Sequence, residues 1–165
     1  MGSTAAVTIT RLSSDQIEEM RSLLAVFGEA FDEVEVYCGA QPSADYLKRF
    51  LSAEHYIALV AQKEDEVVGG LVAYELQKFE QERSEIYIYD LAVAIAHRRE
   101  GIATRLLQTI QQIAVDRGAC AVYVQADQED DPAIALYTKL ASPENVFHFD
   151  IPVKGMGRAD KRLNT

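Results

Sequence analysis

Eight consecutive residues, His97-Arg-Arg-Glu-Gly-Ile-Ala-Thr104, bring two guanidinium groups and one glycine to the start of an amphipathic stripe. A glycine turn at a helix N-terminus leaves backbone N–H groups without intrahelical acceptors. Together with the helix dipole, such groups bind phosphate or pyrophosphate. Arg98 and Arg99 add charge-assisted contacts. The Gly-Lys-Ser/Thr ending of a Walker loop is absent, and so is the G-x-G-x-x-G spacing of a dinucleotide turn. Taken alone, the stretch also fits an ordinary helix start.

A second set of candidates is acidic. Asp90 is the only carboxylate in the run from Ile86 to Val93, which places a group able to hold an ammonium ion, and to take its proton, among apolar neighbours. An ordinary aspartate is a weak base with a pKa of about 3.9, and burial or neighbouring acids raise that value. Asp127, Glu129, Asp130 and Asp131, like Asp90, fall at or just beyond the C-terminal ends of two expected strands, where open α/β sheets place ligands. Glu85 opens the strand that carries Asp90. Carboxylates so grouped suit a polycationic amine through charge-assisted hydrogen bonds. A solvated acidic loop explains Glu129 and Asp131 equally well, and capping a strand or pairing with an arginine is the alternative for Asp90.

These residues need elements to hold them. The alternation in Val7-Thr-Ile-Thr-Arg-Leu12 predicts a first strand, and Asp15 is placed to cap a helix burying Ile17, Met20, Leu24, Phe27 and Phe31. A short helix is expected from Ser43, after Pro42, burying Tyr46, Leu47, Phe50 and Leu51. The segments 56–61 and 67–74 flank the charged turn Lys63-Glu-Asp-Glu66 and read as a hairpin. Residues 85–93 are nearly all apolar or aromatic, as in a central strand buried on both faces.

Ile102, Leu106, Leu107, Ile110 and Ile113 form a helical stripe that Gly118 ends, and 121–126 read as the following strand. Strand, helix and strand in this order predict a parallel crossover. Pro132 suits the first turn of a helix through Leu140, and 145–151 read as a closing strand.

The bulk properties frame these expectations. A chain of 165 residues with 48% hydrophobic and 25% charged content has the composition of one globular domain, expected over 1–153, with a loose tail at 154–165. No apolar run reaches the roughly 18 to 20 residues of a membrane span, and no basic and apolar leader opens the chain, so a cytoplasmic protein with no membrane partner is expected. The net charge of −10 disfavours nucleic acid. It either serves solubility or steers cationic ligands inward. Cys38 and Cys120 form no C-x-x-C pair, and Cys120 is expected as a small buried residue. His55, His97 and His148 lack metal-ligand spacing, and no metal site is expected.

The pattern Arg98-x-x-Gly101-x-Ala103, preceded by a strand ending Asp90-Leu-Ala-Val93, resembles the acetyl-CoA signature of the GCN5-related N-acetyltransferase (GNAT) superfamily. The resemblance runs from about Val7 to Ile151 and implies a mixed α/β fold with a splayed central sheet. It also implies that Leu91, Ala92 and Val93 pair with pantetheine. Arg98, Arg99, Glu100, Gly101, Ile102, Ala103 and Thr104 would then hold the pyrophosphate.

Asp130-Asp-Pro-Ala-Ile-Ala-Leu-Tyr137 is similar to the family's Asn-x-x-Ala-x-x-Leu-Tyr helix. The likeness implies that Tyr137 protonates the departing thiolate and that Asp130 lies near the coenzyme. Asp130 replaces the usual asparagine and Ala141-Ser-Pro the common Gly-Phe.

Two further runs, Phe79-Glu-Gln-x-Arg-Ser-Glu-Ile-Tyr-Ile-Tyr-Asp-Leu-Ala-Val93 and the stretch from Tyr123 to Leu140, resemble the gentamicin 3-N-acetyltransferases. They imply acetyl transfer to the 3-amino group of 2-deoxystreptamine, with Asp90 as base, and a homodimer. A polyamine or protein N-terminus as acceptor, or a non-catalytic acetyl-CoA-binding module, are the competing readings.

Overall fold

The computed structural model describes residues 6–154. Its backbone runs through β1 (Thr8–Arg11), α1 (Ile17–Ala30), α2 (Val34–Cys38), α3 (Ala44–Ser52), β2 (Tyr56–Lys63), β3 (Glu66–Gln77) and β4 (Ser84–Val93). A 3-10 turn (Ile95–His97), α4 (Ile102–Arg117), β5 (Ala119–Val124) and α5 (Asp131–Thr138) follow. Contacts sort the chain into two compact units, one through Gln125 and one from Ala126 onward.

In the first unit five strands form one open sheet in the order β1-β2-β3-β4-β5. The first three pairings are antiparallel and β4 runs parallel to β5, so the expected crossover through α4 is present. The β2–β3 hairpin closes at Glu64 (φ 51°) and Asp65 (φ 67°). Two successive left-handed residues match the twist of a tight hairpin turn.

The sheet has an apolar layer on each face. Leu59, Leu71, Ile86, Ile88, Ile102, Leu106 and Ile110 are at most 2% exposed, and each such side chain contributes about 1.5–3 kcal/mol by leaving water. A second cluster joins Leu23, Val26 and Phe27 of α1 and Leu47 and Leu51 of α3 to Ala58, Val60, Val72 and Ala92 of the sheet. Buried positions on α1 are therefore Met20, Leu23, Val26, Phe27 and Gly28, while the predicted Phe31 is exposed at its end.

Ser43 caps α3 as expected, its side chain accepting from the Tyr46 amide at 3.2 Å, but Tyr46 itself lies outside the core at 52% exposure. Asp15 does not cap α1: Gln16 holds that position without a side-chain cap, and Asp15 accepts instead from the Ser13 hydroxyl at 2.5 Å. Cys120 is exposed rather than buried: it lies on the last strand of the sheet, in the stretch where the register of β4 with β5 slips.

One polar knot lies at the start of β4. Ser84 donates to Glu75 Oε1 at 2.6 Å and Arg117 pairs with Glu75 Oε2. Burial alone would raise the Glu75 pKa, but the Ser84 hydrogen bond and the Arg117 guanidinium outweigh it and hold the carboxyl below its ordinary value.

The second unit contains α5 and an extended segment. The closing strand expected at 145–151 is not formed: Val146, Phe147, Phe149 and Ile151 stand 68–90% exposed in irregular backbone. Apolar alternation marks a segment that gains from burying one face, yet a strand exists only where a partner completes the ladder. Among the described residues no helix is long and apolar enough to cross a membrane.

Candidate active site

The course of β4 decides which face Asp90 occupies. Its register with β3 is regular through Ile88, which pairs with Ala73, but Val72 pairs with Asp90, leaving Tyr89 as one extra residue. Such a bulge resets the alternation of side chains. In an unbroken strand Asp90 would share the face of Ile86 and Ile88, both at most 1% exposed and buried in the core. The bulge instead gives it the face of Val72, packed against α1. Tyr37 of α2 confirms this placement, donating its hydroxyl to Asp90 Oδ2 at 2.9 Å.

Neither α2 nor Tyr37 was anticipated from sequence. A five-residue helix leaves too little periodicity to read, and its 53-residue separation from Asp90 carries no local signal. Just before α2, Glu33 Oε2 is buried without a hydrogen-bond partner among the described residues.

The bulge coincides with the end of sheet pairing. β5 accompanies β4 only from Ser84 to Ile88, so residues 89–93 have β3 on one side and, among the described residues, no strand on the other. Backbone N–H and C=O groups at Leu91, Ala92 and Val93 thus border an open edge, able to pair with an extended amide-bearing arm.

Past Val93, the 3-10 turn leads into residues 98–101. Arg99 (φ 68°) and Gly101 (φ 78°) are both left-handed, and Gly101 occupies the N-cap of α4 without any side-chain cap. The amides of Ile102, Ala103 and Thr104 have no acceptor within the helix and line its positive end. An ideal Cβ on Gly101 would meet nothing within 4 Å, so the approach to these amides is open.

The side chains around this turn divide by role. Arg98 folds back, its Nε donating to the Val93 carbonyl at 3.3 Å, and so pins the turn to the end of β4. Glu100 is held by Lys63 at 3.0 Å and His97 at 3.3 Å, which keep its pKa below the ordinary glutamate value, the Lys63 hydrogen bond first. Ile102 is 2% exposed, so anything it offers a phosphate comes from its backbone. Arg99 and Arg105 are exposed. Glu85, at the other end of β4, pairs with Lys78 at 3.3 Å.

The structure therefore brings Asp90, Leu91–Val93 and the 98–104 turn into one continuous stretch of the first unit. Asp127, Glu129, Asp130, Asp131 and Tyr137 belong to the second. There Asp130 is the N-cap of α5, its Oδ1 accepting from the Ala133 amide at 3.1 Å, with Pro132 in the first turn. A carboxylate substitutes well for asparagine at that position. Asp127, Glu129 and Asp131 are exposed, and Tyr137 is half-buried on α5.

An open mixed sheet with a bulged strand, a free edge beside the bulge and a glycine turn opening the next helix defines the N-acyltransferase class of fold. Residues 18–141 match the acetyltransferase (GNAT) family, and the chain belongs to it. It is similar to the aminoglycoside acetyltransferase HMB0005 from an uncultured soil metagenomic sample, with a TM-score of 0.89 and 54% identity over 90% of this chain and 99% of that one. A second solved structure, the aminoglycoside acetyltransferase meta-AAC0020 from an uncultured soil metagenomic sample in complex with sisomicin, has a TM-score of 0.83 and 32% identity, covering 90% and 97% of the two chains. N-acetyltransferase 8F1 of Rattus norvegicus is 30% identical over 110 residues, 67% of this chain and 49% of that protein. The chain thus spans about half the length of that curated relative.

Proposed function

We propose that the protein transfers the acetyl group of acetyl-CoA to the 3-amino group of the 2-deoxystreptamine ring of aminoglycosides such as gentamicin, in the cytoplasm, conferring antibiotic resistance. The observation that carries this reading is the carboxylate of Asp90, turned by the bulge onto the face of Val72 and beside the open edge of β4. Family membership and the likeness to two aminoglycoside acetyltransferases above 30% identity support it.

In this reading the 98–104 turn holds the pyrophosphate through the first-turn amides of α4, and Leu91 to Val93 pair with pantetheine. Asp90, directly or through water, takes a proton from the acceptor ammonium. The freed amine attacks the thioester carbon, the C–S bond breaks, and Tyr137 protonates the thiolate. The second proton, shed by the new amide nitrogen, returns through solvent to the Tyr137 hydroxyl while Asp90 releases its proton to water. Asp127, Glu129 and Asp131 hold further ammonium groups. Glu85 contributes less, since Lys78 already satisfies it.

Acetyl-CoA turnover measured side by side with gentamicin, spermidine and short peptides tests the acceptor, and locating the acetyl group by NMR tests the position. Turnover with spermidine or peptides but no aminoglycoside would refute the reading. Coenzyme binding without transfer to any amine would reduce the protein to a binding module.

Tyr137→Phe should lower turnover about 10- to 1000-fold. A thiol has a pKa of about 8.5, so its thiolate leaves tolerably even unassisted and general acid help is worth only that much. Parental turnover in that variant would limit Tyr137 to packing.

The acting molecule is proposed to be a homodimer. The apolar segment 146–153 is exposed throughout and β5 is the last strand of its sheet. An open strand edge and an unburied apolar arm on one chain satisfy each other in a symmetric pair. Light scattering should give twice the chain mass, and Phe147→Ser with Phe149→Ser should give the single mass. A parental chain that scatters as a monomer at assay concentration would end this proposal.

A further inference from the structure

The bulge that turns Asp90 also completes a row of aromatic rings. Tyr56 pairs with Tyr74 across β2 and β3, Tyr74 with Tyr87 across β3 and β4, and Tyr87 with Tyr123 across β4 and β5. Direct cross-strand partners share a face, so four tyrosines cross four strands side by side. Their rings touch in series: Tyr56 and Tyr74 at 4.8 Å, and Tyr87 and Tyr123 stacked at 4.9 Å. Tyr89, the extra residue of the bulge, closes the gap, 5.7 Å from Tyr74 and 5.8 Å from Tyr87.

Packing alone does not account for the β4–β5 end of this row. Phe50 of α3 stacks on Tyr56 at 4.0 Å, yet Tyr89, on the part of β4 that β5 no longer accompanies, is 49% exposed and Tyr123 38% exposed. A tyrosine left half bare beside the open edge, next in sequence to Asp90, forgoes burial that a side chain facing inward would gain.

Its faces carry negative π density, and a cation within about 6 Å of such a ring is attracted to it. Tyr74 remains an uncharged hydroxyl near neutral pH: burial first, then Tyr56, Tyr89 and Asp90, push its pKa up to about 12. The row thus offers ring faces and neutral hydroxyls beside one carboxylate, complementary to a ligand with flat apolar ring faces, hydroxyls and ammonium groups.

We infer that the tyrosine row bridged by Tyr89 is a binding platform for the acceptor, an amino-sugar ring lying on the Tyr89 face while its reacting nitrogen reaches Asp90. The inference rests on the aminoglycoside reading and adds to it the group that selects a cyclic amino-sugar over a flexible polyamine. Tyr89 positions and selects; it takes no part in proton transfer.

Steady-state kinetics of Tyr89→Ala, Tyr89→Leu and Tyr89→Phe with gentamicin and with acetyl-CoA, alongside the parental protein, test it. Loss of one cation–ring contact corresponds to about a 5- to 30-fold rise in KM for gentamicin, expected in both the Ala and Leu variants with kcat and the KM for acetyl-CoA little changed. Tyr89→Phe, which keeps the ring face, should restore the low KM. Leu preserves apolar bulk, so a rise in KM there cannot come from lost packing volume.

Parental KM in both Ala and Leu variants would overturn the inference, as would a loss that Phe fails to rescue, since that would assign the effect to the hydroxyl. A changed molecular mass by light scattering with unchanged KM would make the ring part of a subunit contact and equally overturn it. The parental protein alone judges the broader reading. If it acetylates aminoglycosides while the variants behave as it does, only the platform is lost.

Discussion

Asp90→Asn is expected to lower turnover about 100-fold or more while leaving acetyl-CoA affinity close to the parental value. Only a neutral amine has a lone pair for the thioester, and aminoglycoside amines are largely protonated near neutral pH, so a group at the site must remove a proton. The amide keeps the shape of the side chain and can still accept from the Tyr37 hydroxyl, now 2.9 Å from the carboxylate, so the local fold has no reason to change. It cannot take a proton or balance an ammonium charge. Loss of a general base costs about 10²- to 10⁴-fold, and a fall in kcat without weaker coenzyme binding is the signature of an interaction made in the transition state. Stopped-flow or coupled assays across pH, with isothermal titration of acetyl-CoA, measure both quantities. An Asp90→Asn protein with parental turnover and an unaltered pH profile would remove Asp90 from the chemistry, with Asp127 or Glu85 the next carboxylate to test.

Gly101→Val is expected to weaken acetyl-CoA binding about 100-fold or more. Hydrogen bonds to a charged acceptor contribute about 1.5–3 kcal/mol each, so keeping a pyrophosphate from two of the first-turn amides of α4 suffices for that loss. The substitution has two effects that need separating. Gly101 sits at φ 78°, where a side chain costs about 1–2 kcal/mol, and the same side chain enters the open space in front of the amides.

The other end of α4 supplies the control. Gly118 has φ 70° and likewise meets nothing within 4 Å, so Gly118→Val carries similar backbone strain away from the turn. Both variants should melt at lower temperature than the parent, and only Gly101→Val should bind coenzyme poorly. Equal affinities for the two would place the pyrophosphate elsewhere.

The elements most legible in the sequence are those whose signal is local. The α4 stripe, with Gly101 before it and Gly118 after it, is complete within 18 residues, and the structure begins and ends the helix at those glycines. The β2–β3 hairpin needs only two alternating runs and a charged turn. The Ser43 cap and the arginine-bearing glycine turn before α4 were readable for the same reason: each depends on residues within one or two turns of each other.

What could not be read depended on partners distant in the chain. β4 was expected to be buried on both faces, yet only alternate residues up to Ile88 are buried, and the opposite face carries the tyrosine row. A one-residue bulge inverts every side chain beyond it. Nothing in the string Tyr-Ile-Tyr-Asp announces where the register with Val72 and Ala73 will slip.

The same holds for Tyr37 reaching Asp90 across 53 residues, and for 145–151, whose alternating apolar pattern matches a strand that forms none of its ladder in the single chain. Hydrophobic periodicity, caps and turn residues are properties of short segments, so the amino-acid sequence by itself determined the family, the longer helices and the glycine turn that opens α4. Strand register and burial are set by which surfaces meet. The facing of Asp90 and the exposure of Tyr89 therefore became visible only once the chain was folded.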